Sequence, residues 1–111
     1  MTHILVFGAS GFIGRHVQDA LEQDGRVDRV TAPGRSRYDL LAAEVDELAS
    51  LLRQLAADVV VNCTGQLDGT GYELLRANTL VPAKLVDAIA DVDPAIRLVR
   101  LGSAGEYGPV P

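Results

Sequence analysis

Ile4-Leu5-Val6-Phe7-Gly8-Ala9-Ser10-Gly11-Phe12-Ile13-Gly14 is the stretch that decides how this chain folds. Its first four residues form an unbroken apolar run, too short for a helix and typical of a strand buried on both faces. Parallel sheets covered on two sides produce such runs. Beyond the glycines, Ile13, Val17 and Leu21 recur every four residues as far as Gly25, which predicts an amphipathic helix with a glycine stop. Strand, glycine turn and helix thus fill the first 25 residues.

The same alternation continues outward. A second short strand is predicted over Asp28 to Ala32, ended by the turn pair Pro33-Gly34. Val45, Leu48, Leu52 and Leu55 place one apolar stripe on a helix over about residues 44 to 56. Asp58 to Cys63 is β-branched and reads as a strand closed by Thr64-Gly65. Leu74, Val81, Leu85 and Ile89 then mark one side of a long helix from about Tyr72 to Asp91. Pro82 removes a backbone donor inside it, so a kink or a late start is expected. Ile96 to Leu101 alternates apolar residues with Arg97 and Arg100, as an outer strand does. A further short strand before the second helix is left open. The order β-α-β-α-β-α-β predicts an α/β fold, a doubly wound parallel sheet with helices on both faces and right-handed crossovers. Neither an internal repeat nor an interdomain linker interrupts it.

At 111 residues the chain has room for one domain. With 48% apolar and 23% charged residues it is expected to be globular. The formal charge of −5 offers no broad attraction to nucleic acid or an anionic membrane, so neither is an expected partner. Lone Cys63 excludes an intrachain disulfide and a cysteine-cluster metal site, which suits a reducing compartment. No signal peptide is read at Met1-Thr2-His3, and no apolar run approaches the ~20 residues of a membrane span. A cytoplasmic protein is expected.

The glycines carry chemistry as well as geometry. Spaced three apart between strand and helix, the first permits a tight turn, the second a close backbone approach to a pyrophosphate, and the third close helix–strand packing. The helix N-terminus then aims free N–H groups at the anion. With 11 glycines in the chain the spacing alone is weak evidence, and its place between a buried strand and an amphipathic helix does the discriminating. A nucleoside-triphosphate loop is disfavoured, because Gly-Lys-Ser/Thr is missing and the chain's only lysine is Lys84, on a helix.

Gly-x-x-Gly-Phe-Ile-Gly at 8–14, Asp39-Leu40, Val-Val-Asn-Cys-Thr-Gly at 60–65, Asn78 and Leu-Gly-Ser-Ala-Gly-Glu-Tyr-Gly at 101–108 follow one another as in extended short-chain dehydrogenases/reductases. The chain resembles the N-terminal part of these NAD(P)-dependent nucleotide-sugar epimerases, dehydratases and reductases, and between Asp39 and Asn78 it is most similar to the 4-dehydrorhamnose reductase type. The resemblance implies a Rossmann fold, incomplete at the C-terminus, whose residues 1–111 bind a dinucleotide. It implies a pyrophosphate turn of Gly8, Ser10, Gly11, Phe12, Ile13 and Gly14. Asp39 and Leu40 would face the adenine, by hydrogen bond and by packing. Cys63, Thr64 and Gly65 would line the cofactor, and Asn78 would bond backbone near the active site. Plainer roles stay open: Asp39 as a turn cap, Thr64-Gly65 as a turn, Asn78 as a structural hydrogen-bonder, Cys63 as a small buried hydrophobe.

An acid at the end of the second strand selects NAD by bonding the ribose 2′-OH, and an arginine accommodates a 2′-phosphate. The chain reads Ala32-Pro33-Gly34-Arg35-Ser36-Arg37 there, so NADP(H) is expected over NAD(H), with Arg35 responsible. By resemblance, Ser103 matches the catalytic serine that bonds the reacting oxygen. The partner Tyr-x-x-x-Lys is not in the sequence: position 80 is Leu80, and Tyr107 matches a structural tyrosine of the family. The expectation is an oxidoreductase, epimerase or dehydratase truncated before that segment, inactive as this chain alone, with a nucleotide sugar as substrate and a possible homodimer by analogy. The alternative is a stand-alone NAD(P)-binding or redox-sensing module.

Overall fold

The computed structural model describes residues 2–34 and 38–102. In chain order the elements are β1 (His3–Phe7), α1 (Phe12–Gln23), β2 (Arg29–Thr31), α2 (Val45–Leu55), β3 (Val59–Asn62), α3 (Gly71–Leu75), a π-helical turn (Arg76–Leu80), α4 (Val81–Val92) and β4 (Arg97–Arg100). All strand pairs are parallel, in the order β2-β1-β3-β4. Leu5 lies beside Thr31 on one side and Val60 on the other. Val60 is in turn beside Leu98. The left-open strand before α2 does not form among the described residues.

The apolar run of β1 splits by parity, as a strand buried on two faces must. Leu5 and Phe7 join Val60, Leu48 and Leu52 of α2, and Leu85 and Ile89 of α4 in one core. Ile4 and Val6 point the other way and join Val61, Val17 and Leu21 in a second core under α1. Helices therefore cover both faces, and the sheet is doubly wound. Complete burial of a side chain such as Leu5 contributes about 2 kcal/mol, so the two layers together hold the small sheet.

α2 ends where Ala56 turns left-handed, at φ 49°. The amide of Ala56 donates to Arg53 and that of Ala57 to Leu52, satisfying the last carbonyls. At the same edge His3 is buried: its Nδ1 donates to the Leu55 carbonyl at 2.5 Å, and its Nε2 lies 2.6 Å from Thr31 Oγ1. One imidazole thus links β1, β2 and the end of α2.

Pro82 has the effect its missing donor predicts, in a particular form. Just before it the helix widens into the π turn, with the Val81 amide bonded to Arg76. The Asn78 carbonyl, which an amide at position 82 would otherwise take, accepts instead from an Arg100 guanidinium N–H at 3.3 Å. β4 is thereby tied to the helix. No helix among the described residues is long and apolar enough to cross a membrane.

Candidate functional site

The chain runs from β1 to β2 on one side and later to β3 on the other, so a crevice opens beyond the carboxyl end of β1. It is a cleft of about 460 Å³. The glycine turn forms its floor, Ala32 to Gly34 and Tyr38 to Leu41 one wall, and Cys63 to Gln66 the other, with Ala77 and Val81 behind.

The three glycines differ in what demands them. Gly8 sits at φ +79°, and a Cβ there would stand 2.7 Å from the Cys63 carbonyl carbon. Gly14 is buried, and a Cβ on it would lie 1.9 Å from the Gly8 carbonyl oxygen. The fold itself requires both. Gly11 is different: its φ is −75°, and a Cβ would meet only the Gly8 oxygen at 3.5 Å, an ordinary contact. Its bare surface is not explained by the chain's own packing, which is what a backbone approached by a pyrophosphate predicts.

Gly11 is also the N-cap of α1. It brings no side-chain cap, and the first turn holds no acid. By contrast, α2 has Asp46 and Glu47 in its first turn, and α3 is capped by Thr70. The N-terminal N–H groups of α1 have no intrahelical acceptors and carry the positive end of the helix dipole. An anionic group in the cleft would meet them. The residues present therefore fit a dinucleotide.

On one wall, Asp39 organises a tight turn. Its Oδ1 accepts from the Leu41 amide at 3.0 Å, and its carbonyl accepts from Ala42 and Ala43. The plainer role is thus present, and Asp39 still lines the cleft beside buried Leu40. Tyr38 stacks obliquely on Phe7 at 6.0 Å, and its hydroxyl is buried without a hydrogen-bond partner. Burial first, and the Glu47 charge second, push its phenol above the ordinary range.

On the opposite wall, buried Asn62 at the end of β3 accepts from both the Thr64 amide, at 3.1 Å, and the Thr64 hydroxyl, at 2.5 Å. This turns Cys63, Thr64 and Gly65 toward the cleft. Cys63 is half-buried, and burial raises its thiol pKa. Asn78 does not line the cleft; it bonds both backbone groups of Gln66, which does.

Gly8, Ser10, Gly11, Asp39, Leu40, Cys63, Thr64 and Gly65 are therefore brought together around one cavity. The Phe12 and Ile13 side chains point to solvent, exposed by 73% and 55%, and only their backbone belongs to the turn. Arg35 and Ser103 lie outside the described residues. The sequence assigns no site role to Tyr38, Gln18 or Gln66, and it shows Asn62 only within the 60–65 motif, as a turn-forming Asn two residues before a threonine.

The profile of the NAD dependent epimerase/dehydratase family matches residues 4–111. The chain belongs to this family. It is 34% identical over 118 aligned residues to dTDP-6-deoxy-L-talose 4-dehydrogenase (NAD(P)(+)) of Kitasatospora kifunensis, a match covering 97% of this chain and 37% of that protein. The chain thus spans little more than a third of that relative's length. Among solved structures, UDP-glucuronic acid 4-epimerase from Bacillus cereus, in complex with NAD, superposes with a TM-score of 0.75 at 20% identity, over 99% of this chain and 43% of that one. A dTDP-4-dehydrorhamnose reductase from Clostridium acetobutylicum gives 0.72 at 22% identity, over 87% and 34%. These likenesses establish the Rossmann fold, and the family resemblance read from the motifs holds.

Proposed function

We propose that this chain binds a nicotinamide dinucleotide in the cleft and is the dinucleotide-binding part, residues 1–111, of an NAD(P)-dependent enzyme acting on a nucleotide sugar. The observation that carries the reading is Gly11, bare where the fold has room for a side chain, at the uncapped start of α1. Membership of the family, and a relative whose name carries both NAD(P) and a dTDP sugar, support it.

In this reading the backbone of Gly8, Ser10, Gly11, Phe12, Ile13 and Gly14 receives the pyrophosphate. Asp39 and Leu40 face the adenine, and Cys63, Thr64 and Gly65 line the path toward the reacting end. Asn78 positions the 64–66 segment. When bound, the dinucleotide supplies hydride chemistry at a substrate carbon. Ser103 bonds the reacting oxygen, and reduction is favoured over epimerisation or dehydration by the 4-dehydrorhamnose-reductase-like middle of the chain. Arg35 gives NADP(H) the advantage over NAD(H). Tyr72, Leu75, Leu80 and Val86 are exposed on the α3 to α4 segment and offer a face for self-association.

The test is a fluorescence titration with NADPH and NADH. Saturable binding, tighter for NADPH and weakened in Arg35→Ala, is expected. Absence of binding by either would sink the dinucleotide reading, and tighter NADH binding would sink the preference.

A further inference from the structure

Lys84 is the chain's single lysine, and it stands on α4, behind the cleft wall. Its half-buried ammonium donates to three backbone carbonyls of one turn: Leu40 at 2.6 Å, Ala43 at 2.8 Å and Leu41 at 3.3 Å. An ammonium has three N–H donors, and all three are directed at this segment. The only ion pair among the described residues is Arg26 with Asp24, so none of their carboxylates draws Lys84 away. An Arg76 guanidinium N–H adds a fourth bond, to the Leu41 carbonyl at 3.3 Å.

The turn so held is the one that carries Asp39 and Leu40. From within, Asp39 accepts the amides of Leu41, Ala42 and Ala43. From without, Lys84 gathers the carbonyls. Amides and carbonyls are thus fastened by different residues, and the carbonyls that Lys84 takes belong to residues 40–43, outside any helix or strand. A half-buried cation serving uncharged carbonyls contributes more per bond than a neutral donor.

We infer that Lys84 is a positioning residue for the adenine side of the cleft. It holds the 39–43 turn in the conformation that presents Asp39 and Leu40 to the nucleotide, although it touches no ligand itself. The inference rests on the dinucleotide reading for its ligand but not for its mechanical part, and two measurements on the full chain separate them.

The first compares wild type with Lys84→Met, which keeps the apolar stem and loses the donors, and with Lys84→Arg, which keeps a charge. Affinity for ADP and for NADPH should fall about tenfold in Lys84→Met, with partial recovery in Lys84→Arg, while inorganic pyrophosphate, which needs only the glycine turn, should change by less than about twofold. A lysine with a merely structural role would weaken all three ligands together or none. The second is amide hydrogen exchange: Leu41, Ala42 and Ala43 should exchange about tenfold faster in Lys84→Met, with Leu85 and Ile89 of α4 unchanged. Unchanged exchange in the turn would overturn the positioning role. Faster exchange with unchanged ADP affinity would overturn its link to the adenine. If wild type bound neither ADP nor NADPH, the dinucleotide reading would fall together with that link, and exchange alone would decide whether Lys84 holds the turn.

Discussion

Asn78 holds Gln66 by both ends of its side-chain amide: its Oδ1 accepts from the Gln66 N–H at 2.8 Å, and its Nδ2 donates to the Gln66 carbonyl at 2.8 Å. Twelve residues of chain separate the pair. The bond fixes where the strand that ends at Asn62 goes next, and so fixes one wall of the cleft. Asn78 itself lies within the π turn, and its own carbonyl is served by Arg100.

Asn78→Ala should lower stability by about 2 kcal/mol, since two half-buried backbone groups lose their partners. Asn78→Asp, which accepts but cannot donate, should fall between. Urea denaturation monitored by circular dichroism measures both, and a wild-type midpoint in Asn78→Ala would show that water replaces the side chain without loss.

The glycine turn separates folding from binding. Gly14→Ala gains about 1 kcal/mol of helix propensity. Its Cβ, however, would stand 1.9 Å from the Gly8 carbonyl oxygen, and the overlap wins. A loss of about 3 kcal/mol or more is expected. Gly11→Ala meets no such obstacle and should keep stability within about 1 kcal/mol of wild type. Its loss should be in dinucleotide affinity, about tenfold or more. Paired thermal melts and NADPH titrations of the two variants check the contrast, and equal destabilisation by both would refute it.

Cys63 reports on the cleft through its thiol. Burial raises its pKa above the ordinary thiol value, which it regains on unfolding. The folded state therefore keeps the proton to higher pH. The associated stability is complete below about pH 9 and is lost as the pH rises through the folded pKa. Tyr38, whose phenol is raised in the same direction, reinforces this alkaline sensitivity. Alkylation of Cys63 by iodoacetamide at pH 8 should be slower in the folded chain than in urea, and slower again with NADPH present. Protection by urea, or acceleration by NADPH, would contradict the placement.

Ala56 occupies a left-handed conformation at φ 49°, where a Cβ is disfavoured. Its amide and that of Ala57 close the end of α2, so the geometry is held by hydrogen bonds rather than by the side chain. Ala56→Gly should raise stability by about 0.5 to 1 kcal/mol. A calorimetric melt lower than wild type would indicate that the unfolded chain gains more freedom than the turn gains relief.

Much of this architecture is local and therefore legible in the sequence. The apolar run of β1, the stripes of α1 and α2 and the β-branched β3 each state their own period, and alternation of the two periods implies parallel strands with helices between them. The glycine spacing likewise marks the turn, because backbone freedom and close approach are properties of single residues. Their order within Gly8-x-x-Gly11-x-x-Gly14 assigns a turn, a pyrophosphate approach and a packing contact. Only the tertiary structure shows what a Cβ at each would meet: the backbone at 63 for Gly8, the Gly8 oxygen at 1.9 Å for Gly14, and no closer contact than 3.5 Å for Gly11. The same holds for Lys84, which the sequence places on a helix without a partner until α4 is packed beside residues 40–43. It holds for His3, whose three-way linkage needs β2 and the end of α2 beside it. Periodicity is set by neighbours along the chain, whereas a hydrogen bond across 41 to 44 residues exists only once the core shared by Leu40, Ala43 and Leu85 has brought its ends together.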